Sequence, residues 1–131
     1  MKTTNADKWF SLYIRLRDAD ENGCAKCCTC GDYKPVKLMD CGHFVKRQHM
    51  ATRFNTVNCA TQCKRCNGFE QGRDAEFERF LVKKWGSEWI KGLKIQGSLT
   101  HKYSQFEIDE IAKHYKIAAV KLAKDKNLKL W

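Results

Sequence analysis

Apolar residues recur at helical spacing in three stretches of this chain and lose that rhythm in its middle. Trp9, Leu12, Tyr13 and Leu16 share one face of a segment over 5–20, and Gly23 ends the run. Phe77, Phe80, Leu81 and Trp85 form a second stripe, which Asp74 can cap and Gly86 stops. After a loop containing Gly97 and Ser98, the capping box Ser104-x-x-Glu107 opens a third helix. Its apolar stripe is Ile108, Ile111, Tyr115, Ala119 and Leu122, and the basic tail from Lys121 to Trp131 is expected to fray. Between the first and second helices the pattern is short and broken by Gly31, Pro35 and Gly42. It suits two brief strands, about 36–44 around Val36, Leu38 and Phe44, and about 56–60 around Val57. A further helix is expected from Asn67, loosened near Gly72. The whole is an α+β chain, mostly helical, in one domain over 1–131. Its parts are an N-terminal helix (1–23), an irregular centre (24–73) and C-terminal helices with a basic tail (74–131). The four tryptophans read as core or interface anchors.

Charge adds a direction to this picture. The 131 residues carry a formal charge of +10, which favours a polyanionic partner. Residues 1–22 balance at four basic against four acidic, whereas 23–73 hold nine Lys or Arg against three acids. The excess therefore sits on the irregular centre. Lys46, Arg47, Arg53, Lys64 and Arg65 are the candidates for contact with DNA phosphates. No run of about 18 apolar residues is present, so no membrane-crossing helix is expected. The N-terminus leads into an amphipathic segment instead of a signal-peptide core, and a cytoplasmic location is expected.

In a reducing compartment, eight cysteines pose a question of metal binding more than of disulfides. Two C-x-x-C pairs, Cys27/Cys30 and Cys63/Cys66, have the spacing for one tetrahedral structural zinc. Cys24-x-x-Cys27 is also a C-x-x-C, so the first knuckle could be offset; Gly31 after Cys30 favours the later pair, since glycine eases the tight turn. Cys24, Cys28, Cys41 and Cys59 then remain as small, partly buried residues. Zinc would bring together Asp40, His43 and Asn67, a carboxylate, an imidazole and an amide. Phosphodiester hydrolysis needs a base for the attacking water and a Lewis acid for the phosphate. His43 suits the first role. Asp40 and Asn67 are hard oxygen donors suited to Mg²⁺ or Mn²⁺. Asn67 is expected in the first turn of a helix, where the N-terminus also favours phosphate.

The order Cys27-x-x-Cys30, Asp40-x-x-His43, Asn58, Cys63-x-x-Cys66-Asn67 resembles the zinc-bearing branch of the HNH, or ββα-metal, endonucleases. The string from Gly42 to Phe54, with Asn58 and Gln62-Cys-Lys-Arg-Cys-Asn67, is similar to the NinG recombination endonucleases of lambdoid phages, also called Rap. The resemblance covers roughly residues 9–116 and is strongest from 40 to 72. It implies a zinc-stapled ββα-metal core with flanking helices, acting on Holliday junctions and D-loops inside the bacterial host. It implies that His43 is the general base, that Asn58 steadies the loop and the base, and that Asn67 is a metal ligand. Many HNH enzymes carry an acid directly before the base, but here that place is Gly42 and the acid is Asp40. A strand bulge, or a ligand from elsewhere such as His49, could fill the vacancy.

Three rival readings remain at this level: a zinc-stabilised DNA-binding module without catalysis, a less selective HNH nicking enzyme on duplex DNA, and a zinc-ribbon adaptor between proteins. The adaptor leaves the basic excess unexplained, and simple binding does not require the Asp40, His43 and Asn67 set. Symmetric resolution of a four-way junction needs two incisions, so a homodimer is the expected assembly.

Overall fold

A computed structural model describes residues 2–131. Two helices clasp its outside. α1 (Thr4–Asp18) lies along α5 (Gln105–Asp125), burying Leu12 and Leu16 against Ala119 and Ala123. Each buried leucine contributes about 1.5–3 kcal/mol, and the alanines of α5 let the helices come close. The two run in the same direction. The Lys2 backbone N–H bonds Gln105 at one end, and at the other the Lys126 ammonium reaches the carbonyls of Leu16, Arg17 and Ala19. Ser104 and Glu107 form the expected capping box.

The tail does not fray after Asp125. Asn127, in the left-handed region at φ 55°, closes a Schellman turn in which the Leu128 N–H bonds the Ala123 carbonyl at 2.8 Å. Leu128 packs among the α1–α5 side chains, and the Trp131 ring lies 5.1 Å from the Arg15 guanidinium.

The centre is built from two small antiparallel hairpins. β1 (Cys24–Lys26) pairs with β2 (Tyr33–Pro35), a hairpin that the sequence pattern did not disclose. β3 (Asp40–His43) pairs with β4 (Cys59–Gln62), with Asp40 opposite Gln62 and His43 opposite Cys59. Both strands are shorter than expected. Residues Val36–Leu38 and Thr56–Asn58 form 3₁₀ turns that precede them. The β3–β4 pair is covered on both faces, by Phe10 and Ile14 of α1 on the side of Cys59 and by α3 (Asp74–Trp85) and α4 (Ser87–Gly97) on the side of Ala60.

α4 replaces the predicted loop up to Gly97. It follows α3 directly through Gly86 at φ 101°, and Gly97 is its last residue. A side chain at Gly97 would put its Cβ 2.7 Å from Val45, so glycine is what lets α4 close on the segment after β3. Asp74 does not cap α3; that position is Arg73, and the Asp74 carboxylate pairs with Lys46.

One ion pair locks α1 to the hairpin. Asp18 accepts from both the backbone N–H and the hydroxyl of Thr61 at 2.9 Å, while Arg17 donates to the carbonyls of Thr56 and Cys59 at 2.9 Å. Burial alone would raise the Asp18 carboxyl, but Arg17, the Thr61 N–H and Lys84 hold it below its ordinary value.

Candidate functional site

The sulfurs of Cys27, Cys30, Cys63 and Cys66 all lie within 4.8 Å of one another, a grouping that could hold a metal such as zinc. Cys24 lies outside it, on β1 opposite Pro35. Gly31 takes φ 82° in the first knuckle, and its N–H bonds the Cys27 carbonyl at 2.9 Å. In the second, the Cys66 N–H points at the Cys63 sulfur, and the Cys63 N–H at that of Cys27, at 3.5 and 3.3 Å. The donor set fits zinc. Tetrahedral Zn–S bonds of about 2.3 Å put sulfurs about 3.8 Å apart, and Cys30 and Cys63 stand at 3.8 Å.

Charge favours the same occupant. Burial opposes ionisation of Cys27, but bonds from the Cys63 N–H and the Thr29 hydroxyl bring it down to about 6. Burial and the neighbouring thiols push Cys30 up to about 12. Four sulfurs this close cannot all ionise without a cation among them.

Beside this cluster lies a cavity of about 730 Å³ lined by Asp40, His43 and Asn67 among others. Asp40 opens β3 and accepts from the Asn67 amide at 3.1 Å and from the Lys64 ammonium at 2.7 Å. Asn67 is not in the first turn of a regular helix. It lies in a five-residue π turn, Arg65–Phe69, that leads out of the second knuckle. Its position therefore comes from the cysteine cluster, and no helix dipole of useful length points at the cavity.

His43 ends β3 on the α1 side, 6.1 Å from the Phe10 ring. Its Nε2 lies 2.9 Å from the Arg53 carbonyl. A carbonyl only accepts, so Nε2 carries the hydrogen and a neutral ring keeps its lone pair on Nδ1. Burial first, and then the charges of Arg47 and Arg53, hold the imidazole below its ordinary value despite the bond to the Arg53 carbonyl. It is the neutral, proton-accepting form at pH 7.

Asn58 is fully buried and acts on the backbone. Its amide accepts from the Val45 N–H at 2.8 Å and donates to the carbonyls of Val45 and Thr52 at 2.9 and 3.3 Å. It therefore ties together the two ends of the 45–52 segment, next to the Arg53 carbonyl that orients His43. Gly42 has a steric reason. A Cβ there would meet Gln62 Oε1 at 2.4 Å and Phe77 at 3.0 Å, so the residue before His43 faces the packed interior and no acid fits. His49 is not among the residues that line the cavity with Asp40, His43 and Asn67. It lines a different concavity, with Phe44, Val45 and Asp74.

Of the five basic residues proposed from sequence, Lys46, Arg47, Arg53 and Lys64 line the cavity; Arg65 lies outside it, beside Cys66. Arg53 is committed. It forms a two-pronged pair with Asp7 at 2.9 and 2.7 Å, and both side chains are mostly buried. The pairs Lys46–Asp74 and Lys64–Asp40 are exposed and worth about 0–1 kcal/mol each, so a phosphate can displace them. Arg15 and Lys37 also line the cavity and were not foreseen. No local motif marks Arg15; it reaches the site because α1 docks there and its guanidinium bonds the Met39 carbonyl at 3.1 Å.

The family described as NinG, Bacteriophage Lambda NinG protein, matches residues 2–126. The chain belongs to the phage NinG family. That membership points to a role in phage recombination. No curated protein and no solved structure matches the chain. Among the described residues of this NinG-family chain, no helix is long and apolar enough to cross a membrane.

Proposed function

We propose that the protein is a Mg²⁺- or Mn²⁺-dependent endonuclease of the HNH type that cuts branched recombination intermediates, Holliday junctions and D-loops. The observation that carries this reading is the cavity itself, which Asp40, His43 and Asn67 line together with Arg15, Lys37, Lys46, Arg47 and Lys64. A polyanion entering it exchanges weak lysine–carboxylate pairs for phosphate contacts. His43 takes a proton from the attacking water at Nδ1, while the Arg53 carbonyl holds the opposite side of the ring. Asn58 keeps that carbonyl in place by closing the 45–52 segment.

Asp40 and Asn67 are the oxygen donors for the divalent ion. A flip of the Asn67 amide, whose nitrogen now faces Asp40, would turn its oxygen to the Asp40 side, where the two oxygens could share an ion in exchange for Lys64. When bound, such an ion supplies the Lewis acid for the phosphate and the departing 3′-oxygen, leaving 5′-phosphate and 3′-hydroxyl ends. The preference for branched DNA is drawn from membership of a recombination family, and two chains per junction would complete symmetric resolution.

Labelled four-way junction and matched linear duplex, each incubated with the purified protein and Mg²⁺, Mn²⁺ or EDTA, test the whole reading. Metal-dependent cutting that favours the junction is expected. Binding without cutting under every metal condition would return the chain to the class of non-catalytic DNA-binding modules. Affinity that barely changes between low and moderate salt would remove the phosphate-contact account.

A further inference from the structure

Of the four cysteines outside the zinc-type cluster, two stand beside His43. The sulfurs of Cys41 and Cys59 and an imidazole nitrogen of His43 all lie within 4.8 Å of one another. Strand register explains the grouping. His43 is directly opposite Cys59, and Cys41 lies two residues before His43 on the same face of β3. Cys59 is fully buried among Phe10 and Ile14, whereas Cys41 and His43 open onto the cavity.

Two thiols and an imidazole are the donor set of zinc-class ions such as Zn²⁺, Co²⁺ and Cd²⁺, and a poor one for Mg²⁺. Bonds of about 2.3 Å to sulfur and 2.0–2.1 Å to nitrogen would bring the donors about 3.5–3.8 Å apart. From separations of up to 4.8 Å the change needed is about 1.3 Å at most, within reach of small side-chain rotations. On loading, both thiols release their protons to solvent, and the two thiolates neutralise the dication. The neighbouring charges of Arg47 and Arg53 therefore do not oppose binding.

We propose that Cys41, His43 and Cys59 form a second, thiophilic metal site whose fourth position faces the cavity, and that a zinc-class ion bound there shuts off cleavage by occupying His43. The inhibitory part rests on the reading of His43 as the base; the metal site does not. The two sites sort ions by chemistry. Hard Mg²⁺ goes to the oxygens of Asp40 and Asn67, and soft ions go to the sulfurs behind them. The same β3 strand carries donors for both.

The test starts from full-length protein that retains its structural zinc, titrated with Co²⁺ and followed by thiolate-to-cobalt absorption, with zinc content measured before and after. One equivalent of cobalt bound beside the retained zinc is expected. Cys41→Ser, on the partly exposed member, should weaken that uptake by roughly 10–100-fold or more, since even outer-shell losses reach that size. The retained zinc should not change. No thiolate-bound cobalt in the unmodified protein, or equal uptake in Cys41→Ser, overturns the site.

In the second arm, zinc is added to junction cleavage run with excess Mg²⁺. Suppression is expected, with at least about tenfold more zinc needed for Cys41→Ser. Equal suppression of both proteins overturns the link to His43. Absence of cleavage under every condition, with the second equivalent still bound, overturns the nuclease reading and leaves the metal site supported.

Discussion

The cysteine cluster and the cavity beside it are held by the same β3–β4 hairpin but are built in opposite ways. In the cluster, Cys27, Cys63 and Cys66 are buried and backbone N–H groups already point at two of the sulfurs. Their other neighbours, the Thr29 hydroxyl at Cys27 and the Arg73 guanidinium at Cys66, are themselves donors to sulfur, and no carboxylate or lysine partner has to be displaced. In the cavity the proposed metal donors, the base and Lys46 are held by exchangeable neighbours: Asp40 by Lys64 and Asn67, His43 by the Arg53 carbonyl, and Lys46 by Asp74. A site that stabilises the fold gains from exclusive commitment. A site that must receive water, an ion and a phosphate gains from partners that are cheap to exchange.

The largest effect is expected from breaking the cluster. Cys63→Ser should remove most of the folding free energy that a structural zinc supplies, on the order of 10 kcal/mol. Loss of cooperative thermal unfolding and of bound zinc would show it; an unchanged melt with no zinc in the unmodified protein would end the structural account. Second comes His43→Ala, which leaves the cluster intact. Strand cleavage should fall by about 10²–10⁴-fold while junction affinity stays close to that of the unmodified protein. Cutting at the original rate by a zinc-loaded variant would make His43 structural.

Asn58→Ala sharpens the comparison from between the two regions. It removes the Asn58 partner of the partly buried Val45 N–H and carbonyl and of the buried Thr52 carbonyl, so a stability loss of about 1–3 kcal/mol is expected in denaturant melts. Cleavage should also drop, because the Arg53 carbonyl no longer holds the ring. The smallest effect is expected at the exchangeable end. Asn67→Ala should raise the Mg²⁺ concentration needed for half-maximal cleavage by about tenfold. Asp40→Ala should shift it in the same direction. An Asp40→Ala enzyme with normal metal dependence would remove Asp40 from the ion.

Long amphipathic helices and cysteine spacing were readable because each is a local pattern. α1, α3 and α5 announce themselves through apolar residues every third or fourth position, and Ser104 with Glu107 through the capping box. The pairing of Cys27/Cys30 with Cys63/Cys66 needed only the arithmetic of four ligands. What escaped depends on contacts between distant segments. The three-residue β1 and β2 are too short to show alternation, and β2 is wholly exposed. Val36 and Leu38 look like strand residues but lie in a turn. α4 was hidden because Gly86 reads as a stop, whereas here it joins two helices. The approach of Cys41 and Cys59 to His43 follows from strand register, which the sequence alone does not fix. Arg15 enters the cavity only because α1 is docked over β3.

The Lys126 ammonium, bonded to three carbonyls at the end of α1, has a consequence for the order of events during synthesis. Residues 27–66 contain all four cluster ligands, so the metal-binding centre can close while the rest of the chain is still being made. α1 precedes that centre in the chain, yet the Lys126 bonds to its last carbonyls wait until residue 126 has been added, about a hundred positions later. Contacts of such long sequence separation form slowly. α1 can already dock on this centre through Arg15, Arg17 and Asp18, whose hydrogen-bond partners all lie before residue 62, while its other face waits for α5. The metal-binding centre and the cavity wall can therefore assemble before α5 arrives, and what stays uncovered until the end is the Leu12 and Leu16 face of α1.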